Sequence, residues 1–292
     1  MLTCLEELYI IIDNFCKEYE KNSQNKVLES GTKKTRKRRT KVSLSEIISL
    51  LILYQNSNIK NFKAFYRFVQ IEMNKAYPKL CSYNRFIELA TRAVKPLMIL
   101  LNSLYASCDG IIYIDSTAIK VCHIKREKRH KLFKGTAQKS KNTMGWFYGF
   151  KLHIMTNKKG ELINAYFSHT NVDDRQGLLV MCKKIFGNLI GDRGYLGKQL
   201  KQTLQTQGIN LITRGRKNMK NHTLDLTQLA MLNSRNLIET VIGKLKLQFN
   251  LEHTRHRSIS GFIINILASL ISYCFSSNKP ISNIKYPKFI EN

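Results

Sequence analysis

The sequence predicts an α/β fold in which a mixed sheet is flanked by helices and preceded by an all-α N-terminal domain. Three observations lead to this prediction. Apolar residues recur at helical spacing up to about residue 105. From residue 110, short β-branched and aromatic runs are separated by turn residues. Their order, three strands followed by alternating helices and strands, predicts antiparallel strands joined to helix-connected parallel ones.

The N-terminal part carries helix signals one after another. Ser43 and Glu46 form a capping box before an apolar helix, and Ser82 precedes another helix that contains Arg85. A further helix is predicted around Asn61 to Ile71. The first helix is predicted from the spacing of Leu5, Leu8, Ile11, Ile12 and Phe15.

A basic arm interrupts these helices and includes Lys34, Arg36, Lys37, Arg38 and Arg39. Short helices, a basic arm and an aromatic and basic last helix resemble a helix-turn-helix module that binds DNA. The alternative is a helical bundle with a solvated run of charge. Arg85 and the arm are therefore candidate DNA-binding residues in a domain predicted to span residues 1–107.

The second part of the chain supplies the strands. They are predicted at IIYID, GWFYGFKLHIMT, ELINAYFSHT, NLIGDRGYLG, which runs into a turn and helix, and GINLITRGR. A basic connection runs from Lys120 to Lys141. A long helix is predicted from about Leu229 to Asn250, and an apolar buried helix from Gly261 to Phe275. We expect Trp146 and its aromatic neighbours to lie in the strand core, although they could instead stack on an extruded base.

The charge is large and unevenly distributed. The 292 residues contain 48 Lys and Arg against 20 Asp and Glu, a net charge of +28, and residues 111–292 hold 30 of these cations against 10 acids. Such an excess repels itself in a compact body, so an anionic partner is expected, with nucleic acid favoured over a membrane surface. Seven scattered cysteines without a C-x-x-C pair, and an N-terminus unlike a signal peptide, predict a cytoplasmic protein.

Three acids stand out in this basic half. Asp115 and Asp192 each follow an apolar strand, and Glu239 lies among apolar neighbours in a predicted helix. Ligands of open α/β sheets bind beyond the carboxyl ends of strands, where these carboxylates would converge. Three close carboxylates repel one another, and a divalent cation relieves that repulsion. The alternative is that each acid caps a helix or pairs with a nearby Arg.

At these residues the sequence resembles the DDE transposases of bacterial insertion sequences, which have an RNase H-like catalytic domain. IYIDSTAIKVC resembles the first catalytic segment of the family and IGDRGYLG the second. The third segment is the pattern Tyr, Arg, Glu, Lys, for which this chain has Leu232, Arg235, Glu239 and Lys246, so that Leu replaces the Tyr. FNLEHTRHRS after the helix also resembles the family.

The resemblance implies cleavage of the DNA at the ends of the element and transfer of its 3′ hydroxyl to target DNA. Asp115, Asp192 and Glu239 would hold two Mg²⁺, for which Mn²⁺ can substitute, because two ions about 3.5–4 Å apart activate the attacking oxygen and stabilise the leaving one. Arg235 and Lys246 would contact DNA phosphates. For Arg235 the alternative is a salt bridge with Glu239. Arg193 directly follows Asp192 and could clamp a DNA phosphate with two hydrogen bonds; the alternative is pairing within the fold.

The expected protein therefore has an RNase H-like DDE domain at residues 108–275 and a C-terminal tail at 276–292. Its partner is double-stranded DNA, both element ends and target, and it acts as a homodimer in the DNA complex, associated with the nucleoid and not with a membrane. Two other functions remain open: a stand-alone RNase H-like nuclease, and a catalytically inactive or repurposed DNA-binding protein.

Overall fold

A computed structural model describes residues 5–29, 40–142, 145–215, 224–253, 256–282 and 284. The predicted arm residues Lys34, Arg36, Lys37, Arg38 and Arg39 lie outside these ranges. The described helices are α1 (Leu5–Glu29), α2 (Leu44–Asn56), α3 (Phe62–Glu72), α4 (Tyr83–Ala90), α5 (Val94–Ser103), α6 (Asp174–Met181), α7 (Lys198–Thr206), α8 (Leu226–Asn233), α9 (Asn236–Leu247) and α10 (Ile259–Phe275). The strands are β1 (Ile111–Cys122), β2 (Gln138–Asn142), β3 (Gly145–Asn157), β4 (Leu162–His169), β5 (Gly187–Ile190) and β6 (Ile209–Ile212).

The chain packs as two compact units. The first contains the described parts of 1–104, 247–251 and 256–277, and the second those of 105–246, 252–255 and 278–292. These bounds differ from the predicted 1–107, 108–275 and 276–292, because α10 packs with the N-terminal helices. That the predicted segments fold as independent domains stays a prediction.

Local side chains begin the helices of the first unit. Ser43 and Glu46 form the predicted capping box of α2, in which Glu46 N donates to Ser43 Oγ at 3.1 Å and Ser43 N donates to Glu46 Oε2 at 2.6 Å. Asn61 and Ser82 cap α3 and α4 through their side-chain oxygens. Such caps each contribute about 1 kcal/mol, because they pair N–H groups that the first turn leaves without partners.

The apolar helix α10 is buried, as its composition predicted. The side chain of Asn265 is satisfied inside the unit: its Oδ1 accepts from Gln55 Nε2 at 3.1 Å, and its Nδ2 donates to the carbonyl of Asn250 at 3.0 Å. None of the helices that the structure describes has the length and hydrophobicity needed to cross a membrane.

The second unit is built on a mixed six-stranded sheet. Its order is β2-β3-β1-β5-β6, and β4 also pairs with β3. The pairs of β3 with β1, β2 and β4 are antiparallel, whereas β5 is parallel to both β1 and β6. This arrangement confirms the predicted mixed α/β class. An apolar core beneath β1, β5 and β6 includes Ile112, Leu178, Leu189, Leu204 and Leu211, and it fixes the three strands on which the acids depend.

Three details differ from the sequence prediction. β1 does not end at Asp115 but runs on to Cys122, because the long antiparallel partner β3 continues beside it. Strand β2 lies within the predicted basic connection, where no apolar alternation marks it. The predicted long helix is two helices, α8 and α9, since the chain turns at Ser234, whose hydroxyl donates to the carbonyl of Met231 at 2.7 Å.

Candidate active site

The sheet register explains why Asp115 and Asp192 are neighbours. The parallel pairing of β1 with β5 ends at the pair Tyr113 and Ile190. Asp115 and Asp192 each lie two residues further along their own strand directions. Both acids therefore lie at the same level of two adjacent parallel strands, just beyond the end of β5, where the sequence predicted a ligand.

Asp115 is a half-buried carboxylate held by the backbone. Its Oδ1 accepts the N–H of Ser116 at 2.8 Å. The pKa of Asp115 is raised to about 6, chiefly by burial and also by the negative charges of Asp192 and Glu239, while the Ser116 N–H and Arg235 act in the opposite direction. The electrostatic influence of both other acids places all three in one neighbourhood.

Asp192 is oriented by the turn that follows it. Its Oδ1 accepts the N–H of Gly194 at 2.8 Å, which caps a single 3₁₀ turn over Arg193–Tyr195. A Cβ at position 194 would lie 2.9 Å from that oxygen, and one at Gly191 would lie 2.9 Å from the ring of Tyr195. The Gly-Asp-Arg-Gly-Tyr run is thus needed to bring this carboxylate close to the backbone while Tyr195 is buried beneath it.

Arg235 joins two of the acids. Its guanidinium forms an ion pair with Glu239 on α9, and its Nη1 lies 3.5 Å from Asp115 Oδ2. The salt bridge that remained open as an alternative for Arg235 is therefore present. The alternative stated for the acids is also present: Asp192 caps a turn, and Asp115 and Glu239 pair with Arg235. Ser116 and Arg235 contact the two oxygens of Asp115, whereas these contacts of Asp192 and Glu239 involve one oxygen each.

An open cavity of about 440 Å³ lies beside Arg235. Two acids, Asp192 and Glu239, share its lining with cationic side chains. The predicted DNA contact Arg193 lines it, as does Arg214, which sequence reasoning missed. Arg214 follows β6, so the strand-end rule that found Asp192 would also have found it. An anionic group entering here would meet Arg193, Arg214 and Arg235.

Lys246 lies near the C-terminal end of α9 and contacts other groups. Its Nζ donates to the carbonyl of Ala118 on β1 at 3.1 Å and lies 3.1 Å from a carboxylate oxygen of Glu252. In the first unit, Arg85 is exposed on α4 and pairs with Glu88 at 2.7 Å. The DNA contacts of both residues stay predictions.

The donor set suits a hard divalent cation, since three carboxylates offer oxygen ligands. Among the side chains that the structure describes, however, no three of His, Cys, Asp or Glu are grouped so that they could hold a metal ion. The guanidinium of Arg235 supplies the compensating positive charge for Asp115 and Glu239. The carboxylates fit a metal in chemistry, but Arg235 would have to give way.

Comparison with known proteins identifies the domain. The family described as the transposase DDE domain matches residues 105–259, slightly more than half of the chain. The search of curated proteins returned no match.

The solved structures that the chain matches include two transposase complexes. A piggyBac transposase synaptic complex with hairpin DNA is 12% identical with a TM-score of 0.48, and the match covers 82% of this chain and 69% of that one. The Mos1 strand transfer complex is 15% identical with a TM-score of 0.25, over 84% and 81%. On the strength of the domain match, the chain belongs to the DDE transposase family, whose members are metal-dependent enzymes that cleave and join DNA.

Proposed function

We propose that this protein is the transposase of a bacterial insertion sequence, which binds the terminal repeats of its element and catalyses Mg²⁺-dependent cleavage and strand transfer. The observation that carries the proposal is the sharing of partners among three acids: Arg235 pairs with Asp115 and Glu239, and Asp192 and Glu239 line one cavity. The three belong to distant segments, and they are the acids at which the sequence resembles the family.

Asp115, Asp192 and Glu239 would hold the divalent cations, two Mg²⁺ or Mn²⁺. Such ions lower the pKa of a bound hydroxyl and stabilise the oxygen that leaves phosphorus. The chain prepares for them by fixing one oxygen of each aspartate: the N–H of Ser116 holds Asp115 and the N–H of Gly194 holds Asp192. The second oxygen of each aspartate is then oriented without needing the backbone to move.

Arg235 has two proposed roles. In the metal-free protein it neutralises Asp115 and Glu239, which would otherwise repel each other in a partly buried site. With cations bound by the carboxylates, the guanidinium would be free to bind a DNA phosphate, for which its fork of donors is suited. Arg193 and Arg214 face the same cavity and would bind the same strand.

The remaining predictions concern the assembly. Lys246, Arg85 and the basic arm would contact the element ends, and a homodimer would hold two ends together. A location in the cytoplasm, at the nucleoid, follows from the substrate and stays a prediction.

The test is cleavage of a duplex that carries the terminal repeats of the element. We expect cutting with Mg²⁺ or Mn²⁺ by the native protein, and loss of cutting with retained DNA binding in Asp115→Asn. Equal cutting by both proteins would remove the proposed site. Binding without cutting by the native protein would favour the inactive DNA-binding protein, and cutting without preference for the repeats would favour a stand-alone nuclease.

A further inference from the structure

The basic connection between β1 and β3 forms an exposed cationic surface around one aromatic ring. Residues 124–142, all of which the structure describes, contain one acid, Glu127. The cations of this segment are all exposed, and with Trp146 they are termed the basic platform: Lys125, Arg126, Lys128, Arg129, Lys131, Lys134, Lys139 and Lys141. This density of exposed positive charge attracts polyanions.

Trp146 departs from its aromatic neighbours. Phe147, Tyr148 and Phe150 are buried in the second unit, as a strand core predicts, whereas 56% of Trp146 is exposed. The core assignment was therefore wrong for Trp146. Large exposed indoles are unusual in a surface built for solubility alone, because an indole offers a wide apolar face to water.

Two lysines flank the indole. β2 is an edge strand of the sheet, and Lys141 is directly opposite Trp146 in its pairing with β3. The ammonium groups of Lys139 and Lys141 lie 5.0 Å and 6.0 Å from the centre of the ring. At this separation the cations are attracted to the ring, so all three side chains share one face of the hairpin. Lys139 is partly neutralised by Glu127, which lies 3.7 Å away.

A planar base and its phosphates match this arrangement. Bases stack on exposed aromatic rings whatever their sequence, and Lys binds phosphate as a point charge. A base in a duplex has both faces covered by neighbouring bases, whereas an unpaired base has a free face. We propose that Trp146 stacks on an unpaired nucleotide of DNA, with its flanking phosphates bound by Lys139 and Lys141. The inference rests on the proposed function for the choice of DNA as the polyanion.

The chain provides its own reporter, because Trp146 is its single tryptophan. The native protein is titrated with a blunt duplex of arbitrary sequence, and with the same duplex carrying a short oligothymidine overhang. We expect the overhang to quench the tryptophan emission and the blunt duplex to leave it nearly unchanged. Equal quenching by both, or none by either, would overturn the proposal.

Variants then test the contact through affinity, measured with labelled DNA. Trp146→Leu should weaken binding of the overhang by about tenfold, the scale expected for one lost base stack, and change blunt-duplex affinity by less than about twofold. Trp146→Phe should restore most of the affinity. The matched control is Phe186→Leu, since Phe186 is 57% exposed elsewhere in the same unit.

An unchanged overhang affinity in Trp146→Leu, or an equal loss in Phe186→Leu, would contradict the stacking role. If Trp146→Leu does not fold, the emission of the native protein and the Phe variant still decide. Neither measurement involves cleavage: a protein that stacks overhangs but never cuts DNA would refute the proposed function and leave this inference standing.

Discussion

The acidic centre, Asp115, Asp192, Glu239 and Arg235, and the basic platform differ in how their charges are held. In the centre, the N–H of Ser116 and the N–H of Gly194 fix the aspartates, and Arg235 binds two of the carboxylates. On the platform, the cations stand in solvent along a segment with one acid. Fixed, partly buried charges suit an ion at a defined position; exposed flexible charges suit a polymer that binds in many registers. The comparison indicates that chemistry and DNA affinity should be separable by substitution.

Removing a carboxylate should have the largest effect, and on chemistry alone. In Asp192→Asn and Glu239→Gln we expect single-turnover cleavage of prebound DNA to fall by at least about 100-fold, since even supporting residues of metal sites are worth 10–100-fold. DNA affinity should change little. A variant that loses DNA affinity in proportion to activity would show that the acidic centre also determines affinity, and would contradict the separation of chemistry from binding.

Arg235→Gln should destabilise the metal-free protein. Without the guanidinium, Asp115 and Glu239 face each other without compensation, and we expect a loss of about 2 kcal/mol in the free energy of unfolding, below the 3–5 kcal/mol of fully buried pairs because this one is partly exposed. Denaturant unfolding measures the loss. Mg²⁺ should stabilise the variant more than the native protein, and an equal Mg²⁺ effect on both would show that Arg235 does not occupy the metal's place.

Asp115→Asn should stabilise the protein in a pH-dependent way. The pKa of Asp115 is raised by burial from 3.8 to about 6, so the native state holds the proton more tightly than the unfolded chain does. The native protein therefore loses stability as the pH rises from about 4 to about 6, and the neutral amide avoids that loss. We expect an advantage of about 3 kcal/mol for the variant at pH 7 without metal, shrinking to near zero below pH 4. An advantage independent of pH would contradict the assigned cause.

Neutralising two platform lysines should affect affinity and leave the chemistry intact. In the double variant Lys139→Gln, Lys141→Gln we expect single-strand affinity to fall by about tenfold and the slope of log affinity against log salt to decrease by about 1.4, because each phosphate contact contributes about 0.7. The matched control is the double variant Lys198→Gln, Lys201→Gln on α7. A decrease of the same size in that control would show a general charge effect and no role for the platform.

The smallest effect is expected at an exposed cap. Asp173 caps α6 and binds Arg175 at 2.9 Å, and these hydrogen bonds lower the pKa of Asp173 to about 2. Asp173→Ala should cost about 1 kcal/mol and Asp173→Asn, which keeps the cap, only a few tenths. The contribution of the charge is present above pH 4 and disappears as the pH falls through about 2. A large loss of unfolding free energy in Asp173→Asn would show that the charge of this exposed pair contributes more than expected.

Local signals allowed parts of this fold to be predicted. The capping box of Ser43 and Glu46 depends on four neighbouring residues, and it is present. Asp192 lies just beyond the end of β5, as the general rule for strand ends predicted, whereas Asp115 lies within β1, which continues to Cys122. Acids that stand alone in a cationic segment were conspicuous in composition.

The remainder depended on contacts between distant segments. β2 has no pattern of its own and exists because the edge of β3 is available to it. The exposure of Trp146 follows from that pairing, and the affiliation of α10 with the N-terminal helices follows from contacts such as Ser272 Oγ to the carbonyl of Ile52 at 3.1 Å. The turn at Ser234, which sets Arg235 against Asp115, likewise has no local signal strong enough to outweigh the helical pattern around it.

The most direct test of the central claim, that Asp115, Asp192 and Glu239 together bind divalent metal, is a Mn²⁺ titration followed by electron paramagnetic resonance. It is performed without DNA on the native protein and on Asp115→Asn, Asp192→Asn and Glu239→Gln. We predict saturable binding by the native protein and at least about tenfold weaker binding by each variant. Equal Mn²⁺ binding by all four proteins would place the metal elsewhere and contradict the account.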